Sequence, residues 1–235
     1  MTARIENNLE SFEKIAGVRF NDKDLLKQAF VHRSYLNENR NFPIGHNERL
    51  EFLGDAVLEL VITDYLYSKY PKKNEGEMTS LRSALVNANT LYQVAENLKM
   101  NDYLLLSRGE SKDTGRARQY ILANTVESFI GALYLDSGYE KAKNFVYGHI
   151  TPLIDRVIAE GLWIDSKSLF QEKAQDLVGV TPVYKTEKES GPDHDKHFTI
   201  GVYLKNELVA TGQGKSKQDA EQEAARKALE SKEWD

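Results

Sequence analysis

The sequence predicts an all-α domain followed by a small α+β domain with the element order α-β-β-β-α. From Ile5 to about Gly161, apolar residues recur at the three- and four-residue spacing of amphipathic helices. After Asp165 the spacing changes to the alternation typical of strands, flanked by two helical segments. The chain has 235 residues, 40% of them hydrophobic, which is enough for the two cores that this division requires.

The helices of the first half follow from their apolar periodicity. The pattern is clearest in the segments LLKQAFVH, LEFLGDAVLELVITDYLY, LYQVAENLK and ILANTVESFIGALYL. Breaks between helices are expected at Gly17, Pro71, Gly115 and Gly138. We therefore predict that residues 1–160 form one all-α domain, followed by a short linker at 161–166.

The second half carries a helix, three strands and a helix in that order. The first helix is expected in SLFQEKAQDLVG, the strands in VYKTEKE, HFTIGVYL and LVATGQG, and an alanine-rich helix begins after Ser216, a typical N-cap residue. The small residues Ala220, Ala224, Ala225 and Ala228 form one face, which lets this helix lie close to a sheet. Residues 167–233 are therefore predicted to form the α+β domain.

Composition limits the chemistry and the location of the protein. The absence of cysteine excludes disulfides, thiol nucleophiles and the usual structural zinc sites. The charged start lacks the apolar core of a signal peptide, and acids interrupt the longest apolar stretches, so we expect a cytoplasmic protein without a membrane span. The net charge of −5 argues mildly against a nucleic-acid partner, which would need a local basic surface.

Three carboxylates share one face of a predicted helix. Glu48, Glu51 and Asp55 are spaced i, i+3 and i+7, which confines them to an arc of roughly 60°. Like charges at this spacing repel each other and destabilise a helix. A solvated acidic face is the alternative to a functional site, and Glu59 on the same arc shows that spacing alone does not decide.

A second acidic element lies in an otherwise apolar helix, where Asn124 and Glu127 are one turn apart. Glu127 either reaches solvent at the helix edge or is buried with a partner, and a divalent cation shared with the first acidic helix would offset the cost of burial. Oxygen ligands without cysteine or a histidine pair suit Mg²⁺ or Mn²⁺ rather than zinc. Such ions serve phosphoryl transfer.

These segments resemble the ribonuclease III family. The run HNERLEFLGDAVL resembles the signature of that family, and NEGEMTSLRSALVNANTL and ILANTVESFIGALYLD resemble later blocks of its catalytic domain in the same order. The resemblance implies an all-α endonuclease domain that uses Mg²⁺, or Mn²⁺ as a substitute, and no small-molecule cofactor. It implies cleavage of double-stranded RNA to 5′-phosphate and 3′-hydroxyl ends with short 3′ overhangs, in the processing of ribosomal RNA precursors and some messenger and transfer RNAs.

The same resemblance implies roles for individual residues. Asp55 and Glu127 become catalytic residues, and the expected metal ligands are Glu51, Asn124, Glu127 and Asp55. Glu48 and Glu75 become further acids of the cleft. Phe52 becomes an aromatic residue that inserts into the partner subunit of a homodimer, although a lone phenylalanine is otherwise expected in the core.

Asn124 departs from the family pattern, which has aspartate at this position. Its amide oxygen can still ligate Mg²⁺ but brings no negative charge, so metal affinity is expected to be lower. The alternative function is therefore a dimeric double-stranded-RNA-binding protein with an impaired catalytic centre. The retention of so many mutually repelling acids favours the enzyme.

The last seventy residues resemble a double-stranded-RNA-binding domain, which reads the shape of A-form RNA with little sequence specificity. The resemblance implies contacts with RNA by Ser168, Gln171, Glu172, His194, Lys215 and Lys217. An ordinary polar helix face is the alternative for the first three, while a metal pair of His194 and His197 is disfavoured because no second ligand cluster is present. A sequence-specific DNA-binding protein is disfavoured by the absence of a basic recognition helix or zinc-finger pattern.

Charge limits the RNA-binding surface of this domain. From residue 161 onward there are 11 lysines and arginines against 14 acids, a net charge of −3. Gln218 follows Lys217, where the family often has a second basic residue. We therefore expect the basic surface to be confined to the edge that carries Lys215 and Lys217, where a helix N-terminus also favours phosphate.

Overall fold

The computed structural model describes residues 2–192 and 196–234 of the chain. They fall into two compact units, Met1–Trp163 and Ile164–Asp235. The first unit is helical and the second combines two helices with a three-stranded sheet, which confirms the predicted fold class. Within the described ranges, no helix combines the length and the apolar character needed to cross a membrane.

The first unit is a bundle of helices of very different lengths. Its helices are α1 (Thr2–Ala16), α2 (Lys23–Ala29), α3 (Arg33–Glu38), α4 (Glu48–Lys69), α5 (Glu75–Val86), α6 (Ala88–Asn97), α7 (Arg116–Ser137), α8 (Tyr139–His149) and α9 (Ile154–Ala159). Short 3-10 helices lie at Met100–Tyr103, Glu110–Lys112 and Thr151–Leu153.

Side-chain caps fix the starts of several of these helices. The Asn74 side chain accepts a hydrogen bond from the backbone of Glu77 at 2.9 Å, and the Glu77 side chain accepts one from the backbone of Asn74 at 3.0 Å. This capping box satisfies two backbone donors that the helix itself leaves unpaired at the start of α5. Asn87 likewise caps α6 by accepting from the backbone of Thr90. Asn74 thus ends the connection between α4 and α5, and Asn87 alone joins α5 to α6.

The core of the first unit surrounds α7, which is buried along most of its length. Its fully buried residues include Leu122, Val126, Phe129, Ile130 and Leu133. Phe12 of α1 packs edge-to-face against Phe30 at 4.8 Å and against Phe129 at 5.2 Å between ring centroids. Helix α4 lies beside α7 and buries only one side, so its other faces remain on the surface.

The second unit contains α10 (Ser166–Val178), β1 (Val183–Ser190), β2 (His197–Leu204), β3 (Glu207–Gly214) and α11 (Lys217–Lys232). The strands form an antiparallel sheet in the order β1-β2-β3. Phe170 of α10, Val202 of β2 and Leu229 of α11 form its core with buried alanines. The predicted helix–strand–strand–strand–helix order is confirmed, and β2 coincides with the predicted segment HFTIGVYL.

The alanine face of α11 lies directly on the backbone of β3. All four of its alanines are fully buried. A Cβ atom at Gly212 would lie 2.2 Å from the backbone of Ala220 and of Ala224, so only glycine permits this approach. Ser216 accepts a hydrogen bond from the backbone of Asp219 at 3.1 Å and confirms the predicted N-cap.

Candidate active site

The two acidic elements meet where α4 crosses α7. A Cβ atom at Gly54 would lie 1.7 Å from the carbonyl oxygen of Glu127, and one at Gly131 would lie 2.2 Å from the carbonyl oxygen of Leu50. The two helix backbones are therefore in direct contact at these glycines. Helices that pack through larger side chains usually keep their axes about 8–10 Å apart. This crossing brings Glu51 and Asp55 of α4 next to Asn124 and Glu127 of α7.

Asn124 contacts the acidic face of α4 directly. Its side-chain nitrogen donates a hydrogen bond to Oε1 of Glu51 at 2.9 Å. Burial raises the pKa of Glu51, as do the charges of Glu48 and Asp55, while the hydrogen bond from Asn124 opposes this rise. The bond engages the amide nitrogen, so the Oδ1 atom of Asn124 is left as an oxygen ligand for a cation.

Glu127 is the most perturbed acid of the site. Burial, followed by the charges of Asp55 and Glu51, raises the pKa of Glu127 to about 8. Its ionised form is disfavoured because the half-buried carboxylate faces two others. A divalent cation would offset this repulsion, and the donor set of carboxylate and amide oxygens has the chemistry that a hard cation prefers. Within the described residues, however, no group of three or more histidines, aspartates or glutamates is close enough to hold a metal ion.

Glu48 lies in the first turn of α4 and is exposed. One carboxylate oxygen is 3.4 Å from a guanidinium nitrogen of Arg33, and the other is 3.7 Å from Nδ1 of His46. Glu48, Glu51 and Asn124 line one cavity of about 840 Å³. The same cavity is also lined by residues that were not predicted from the sequence, among them His32, Arg33, Asn37, Glu110 and Tyr120.

Glu75 is not brought to this cavity within one chain. It is the first residue of α5, and its carboxylate accepts a hydrogen bond from the Thr79 hydroxyl at 3.1 Å. Glu75 instead lines a smaller cavity of about 170 Å³, together with Tyr67 and Arg82. A cleft that includes both Glu48 and Glu75 stays a prediction.

Phe52 is exposed beside the acidic face. Its side chain is 82% exposed, which excludes the alternative that it packs in the core of its own chain. Leu60 and Tyr67 are 57% and 73% exposed on the same side of α4. With Ala56 and Thr63 they form the α4 stripe, five exposed residues spaced by three or four positions.

The predicted RNA-binding residues of the second unit are exposed where the structure describes them. Ser168, Gln171 and Glu172 occupy one face of α10. Lys215 and Lys217 are exposed beside the start of α11, and the ammonium of Lys217 is 3.0 Å from the carboxylate of Glu189. His194 lies outside the described residues.

The first and last helices of this unit meet near those residues. The Gln222 side chain accepts a hydrogen bond from the backbone of Lys167 at 3.2 Å, and its amide donates one to Asp165 at 2.7 Å. Asp165 also caps α10 by accepting from the backbone of Ser168. These bonds hold the start of α10 against the second turn of α11, one turn from Lys217.

Two glycines create the site and a basic side chain lies beside it, and none of the three was predicted from the sequence. Gly54 and Gly131 each interrupt a strongly helical segment, which costs about 1 kcal/mol relative to alanine and so signals a close backbone approach. Arg33 had no comparable signal in the sequence, because only the fold places it beside Glu48.

Comparisons with known proteins identify the family. Residues 22–154 match the family model described as Ribonuclease-III-like, and residues 166–232 match the double-stranded RNA binding motif. The chain is 43% identical to Ribonuclease 3 of Borreliella burgdorferi over 97% of this chain and 93% of that protein. It is 47% identical to Ribonuclease 3 of Carboxydothermus hydrogenoformans over 96% of both chains.

A solved structure agrees with these matches. The nuclease domain of ribonuclease III from Campylobacter jejuni is 38% identical, covers 61% of this chain and 96% of its own length, and has a TM-score of 0.56. The two family models together cover both structural units, and the curated relatives align over nearly the full chain. The chain therefore belongs to the ribonuclease III family of endoribonucleases that act on double-stranded RNA.

Proposed function

We propose that this endoribonuclease is a homodimer that uses Mg²⁺ at the crossing of α4 and α7 to hydrolyse double-stranded RNA. The products would carry 5′-phosphates and 3′-hydroxyls with short 3′ overhangs. The substrates would be ribosomal RNA precursors and some messenger and transfer RNAs in the cytoplasm. The observation that carries the proposal is the half-buried Glu127 carboxylate beside Asp55 and Glu51, an arrangement that is unfavourable without a cation.

The proposed ligands are the side chains of Glu51, Asp55, Asn124 and Glu127, which would have to move closer together than they lie in the structure to hold the ion. When bound, Mg²⁺ supplies charge neutralisation at the phosphodiester and activation of a water molecule. The hydrogen bond between Asn124 and Glu51 orients both side chains toward the crossing. Asp55 and Glu127 are the catalytic residues, and Mn²⁺ would be accepted because it prefers similar ligands. Glu48 and Glu75 would contribute further negative charge to the assembled cleft.

The α4 stripe supports the homodimer. In a twofold interface each subunit presents the same surface, so the stripe of one chain can pack against that of a second, with Phe52 inserted into the partner. An exposed and mostly apolar row of this length is unusual on a monomer. The Campylobacter jejuni structure is described as showing flexibility in a region involved in dimer formation of its nuclease domain.

The second unit would hold the duplex. Ser168, Gln171, Glu172 and His194 are proposed to contact minor grooves, and Lys215 and Lys217 the phosphates between them. Lys217 is well placed because it begins α11, where free backbone N–H groups also favour phosphate. The ion pair with Glu189 must open for that contact, and an exposed pair costs at most about 1 kcal/mol to break.

Cleavage of a long duplex RNA tests the proposal. We expect cutting with Mg²⁺ and none with EDTA. Glu127→Gln should abolish cutting but retain duplex binding in EDTA, because it removes a charge needed by the metal and not by the RNA. Glu59→Gln is the matched control, since Glu59 lies on the same arc of α4 outside the crossing, and it should cut normally.

Two results would contradict this proposal. If Glu127→Gln lost duplex binding and cutting to the same extent, cutting and binding would not be separate functions of the two units. Binding without any cutting by the unmodified chain in Mg²⁺ would instead favour the binding protein with an impaired centre at Asn124.

A further inference from the structure

The cavity beside the crossing is lined by both acidic and basic side chains. Its carboxylates are those of Glu48, Glu51 and Glu110. Arg33, which lies beside Glu48, is the one arginine or lysine among the residues that line this cavity in the described structure. RNA that enters such a cavity brings its own negative charge to an acidic site, so a cation among the lining residues would favour its entry.

Arg33 is held loosely by its present partner. One guanidinium nitrogen lies 3.4 Å from the carboxylate of Glu48, and the two side chains are 71% and 47% exposed. Exposed ion pairs of this kind contribute about 0–1 kcal/mol. A guanidinium has five N–H donors in a planar fork that matches two phosphate oxygens. A phosphate would therefore compete well with Glu48 for Arg33.

The backbone of Arg33, in contrast, is held firmly. His32 caps α3, and its Nδ1 atom is 2.8 Å from the hydroxyl oxygen of Ser34. The backbone N–H of His32 donates to the carbonyl of Leu105 at 3.1 Å, and the hydroxyl oxygen of Ser34 accepts from the backbone of Ser107 at 3.1 Å. These bonds connect the start of α3 to the segment before α7, so Arg33 projects from a fixed position.

We infer that Arg33 is a substrate-binding residue that contacts a backbone phosphate of the RNA strand next to the scissile bond, exchanging Glu48 for that phosphate when RNA enters. The inference rests on the proposed function, because it takes the crossing of α4 and α7 as the site of cleavage. No covalent step is involved. Glu48 thereby acts as the resting partner of Arg33 in addition to its place among the acids of the cleft.

The salt dependence of duplex binding tests this contact. Arg33→Ala is made in the full chain together with Glu127→Gln, so that binding of a duplex RNA is measured without cutting. Loss of one phosphate contact should reduce the slope of log affinity against log salt by roughly 0.7–0.9. Affinity at low salt should fall about tenfold, as for a lost charge-assisted hydrogen bond.

Two matched variants complete the experiment. Arg40→Ala removes an exposed arginine just after α3 that does not line the cavity, and it should leave the slope unchanged. Arg33→Lys keeps the charge but not the fork, so it should keep the slope and lose part of the affinity. In the cleaving background, Arg33→Ala should raise KM with kcat nearly unchanged.

The inference is overturned if Arg33→Ala leaves the slope equal to that of its parent, or if it lowers kcat with KM unchanged, since Arg33 would then only position Glu48. Failure of the proposed function looks different. If the unmodified chain does not cut duplex RNA, the proposed function is wrong, whereas the slope still decides whether Arg33 contacts phosphate.

Discussion

Asn124 donates a hydrogen bond to Glu51, and the direction of this bond gives the residue a role besides the proposed metal ligation. An amide can donate to a carboxylate, whereas an ionised aspartate cannot. In the metal-free protein Asn124 therefore relieves repulsion among the acids of the crossing, at the cost of one negative charge that would attract Mg²⁺. Asn124 would therefore stabilise the metal-free protein at the expense of the proposed affinity for Mg²⁺.

Substitutions of Asn124 test this balance. Asn124→Asp should cleave at a lower Mg²⁺ concentration, because the added carboxylate strengthens the site, and it should melt at a lower temperature in EDTA. Asn124→Ala should need more Mg²⁺, since it removes the oxygen. Mg²⁺ titrations of cleavage rate measure the first effect and thermal denaturation in EDTA the second. Identical Mg²⁺ titrations for all three proteins would make Asn124 a structural residue of α7.

Glu127 makes the metal-free protein sensitive to pH. Burial and two neighbouring carboxylates raise the pKa of Glu127 from 4.5 to about 8 in the folded chain. The folded state therefore holds this proton more tightly than the unfolded state, so the stability it contributes is fully present below about pH 4.5 and is lost as the pH rises through about 8. The amide introduced by Glu127→Gln cannot ionise, so this variant should not lose that stability as the pH rises.

Melting temperatures in EDTA measure the effect. Between pH 6 and 9 the unmodified chain should lose more thermal stability than Glu127→Gln, and added Mg²⁺ should reduce the difference by stabilising the ionised form. Parallel losses in the two proteins would show that Glu127 does not titrate in this range.

At the scale of helices, the approach of α4 to α7 determines the site. Both helices were predicted from apolar periodicity, and both were found. Their contact at Gly54 and Gly131 was not predicted, because periodicity shows which face of a helix is buried and not which helix covers it. The carboxylates were identified as candidates by spacing and resemblance, yet their convergence depends on the absence of two side chains.

The crossing can be tested by adding one methyl group. Gly54→Ala places a Cβ atom 1.7 Å from the carbonyl of Glu127, where only backbone movement can relieve the overlap. We expect a loss of about 3 kcal/mol or more in the free energy of unfolding, with loss of cleavage. Urea denaturation measures the free energy of unfolding, and a cleavage assay measures the loss of activity.

Gly148→Ala is the matched control for this change. Gly148 lies within α8, and a Cβ atom there would meet nothing within 4 Å. The change should stabilise the chain by about 0.5–1 kcal/mol, because alanine is the better helix former. A Gly54→Ala protein as stable as Gly148→Ala would mean that the two helices are farther apart than described.

At the scale of the whole molecule, the proposed function divides two tasks that conflict electrostatically between the two units. The carboxylates at the crossing would bind a cation and repel RNA, while the start of α11 would present lysine and helix N–H groups to phosphate. The sequence predicted this division through the change of periodicity near residue 161 and the resemblance of each half. It could not predict that Lys217 is paired with Glu189, because that contact joins β1 to α11 only in the folded sheet.

The exposed α4 stripe is the surface through which we propose that the whole molecule dimerises. Phe52 is 82% exposed in the single chain, so its replacement by alanine should cost little in the folding of one subunit. In the proposed dimer the same ring is buried in the partner, where an aromatic anchor contributes about 2 kcal/mol or more. Phe52→Ala should therefore weaken dimerisation by about 30-fold.

Sedimentation over a range of protein concentrations measures this shift. Leu135→Ala is the control, since Leu135 is 56% exposed on α7 outside the stripe and should leave the dimer unchanged. Cleavage by Phe52→Ala should recover as the protein concentration rises, because in the proposed homodimer each site requires the assembled pair. A dimer of unaltered strength in Phe52→Ala would remove this residue from the interface, whereas loss of cleavage at every concentration would instead point to a role of Phe52 beside the carboxylates of α4.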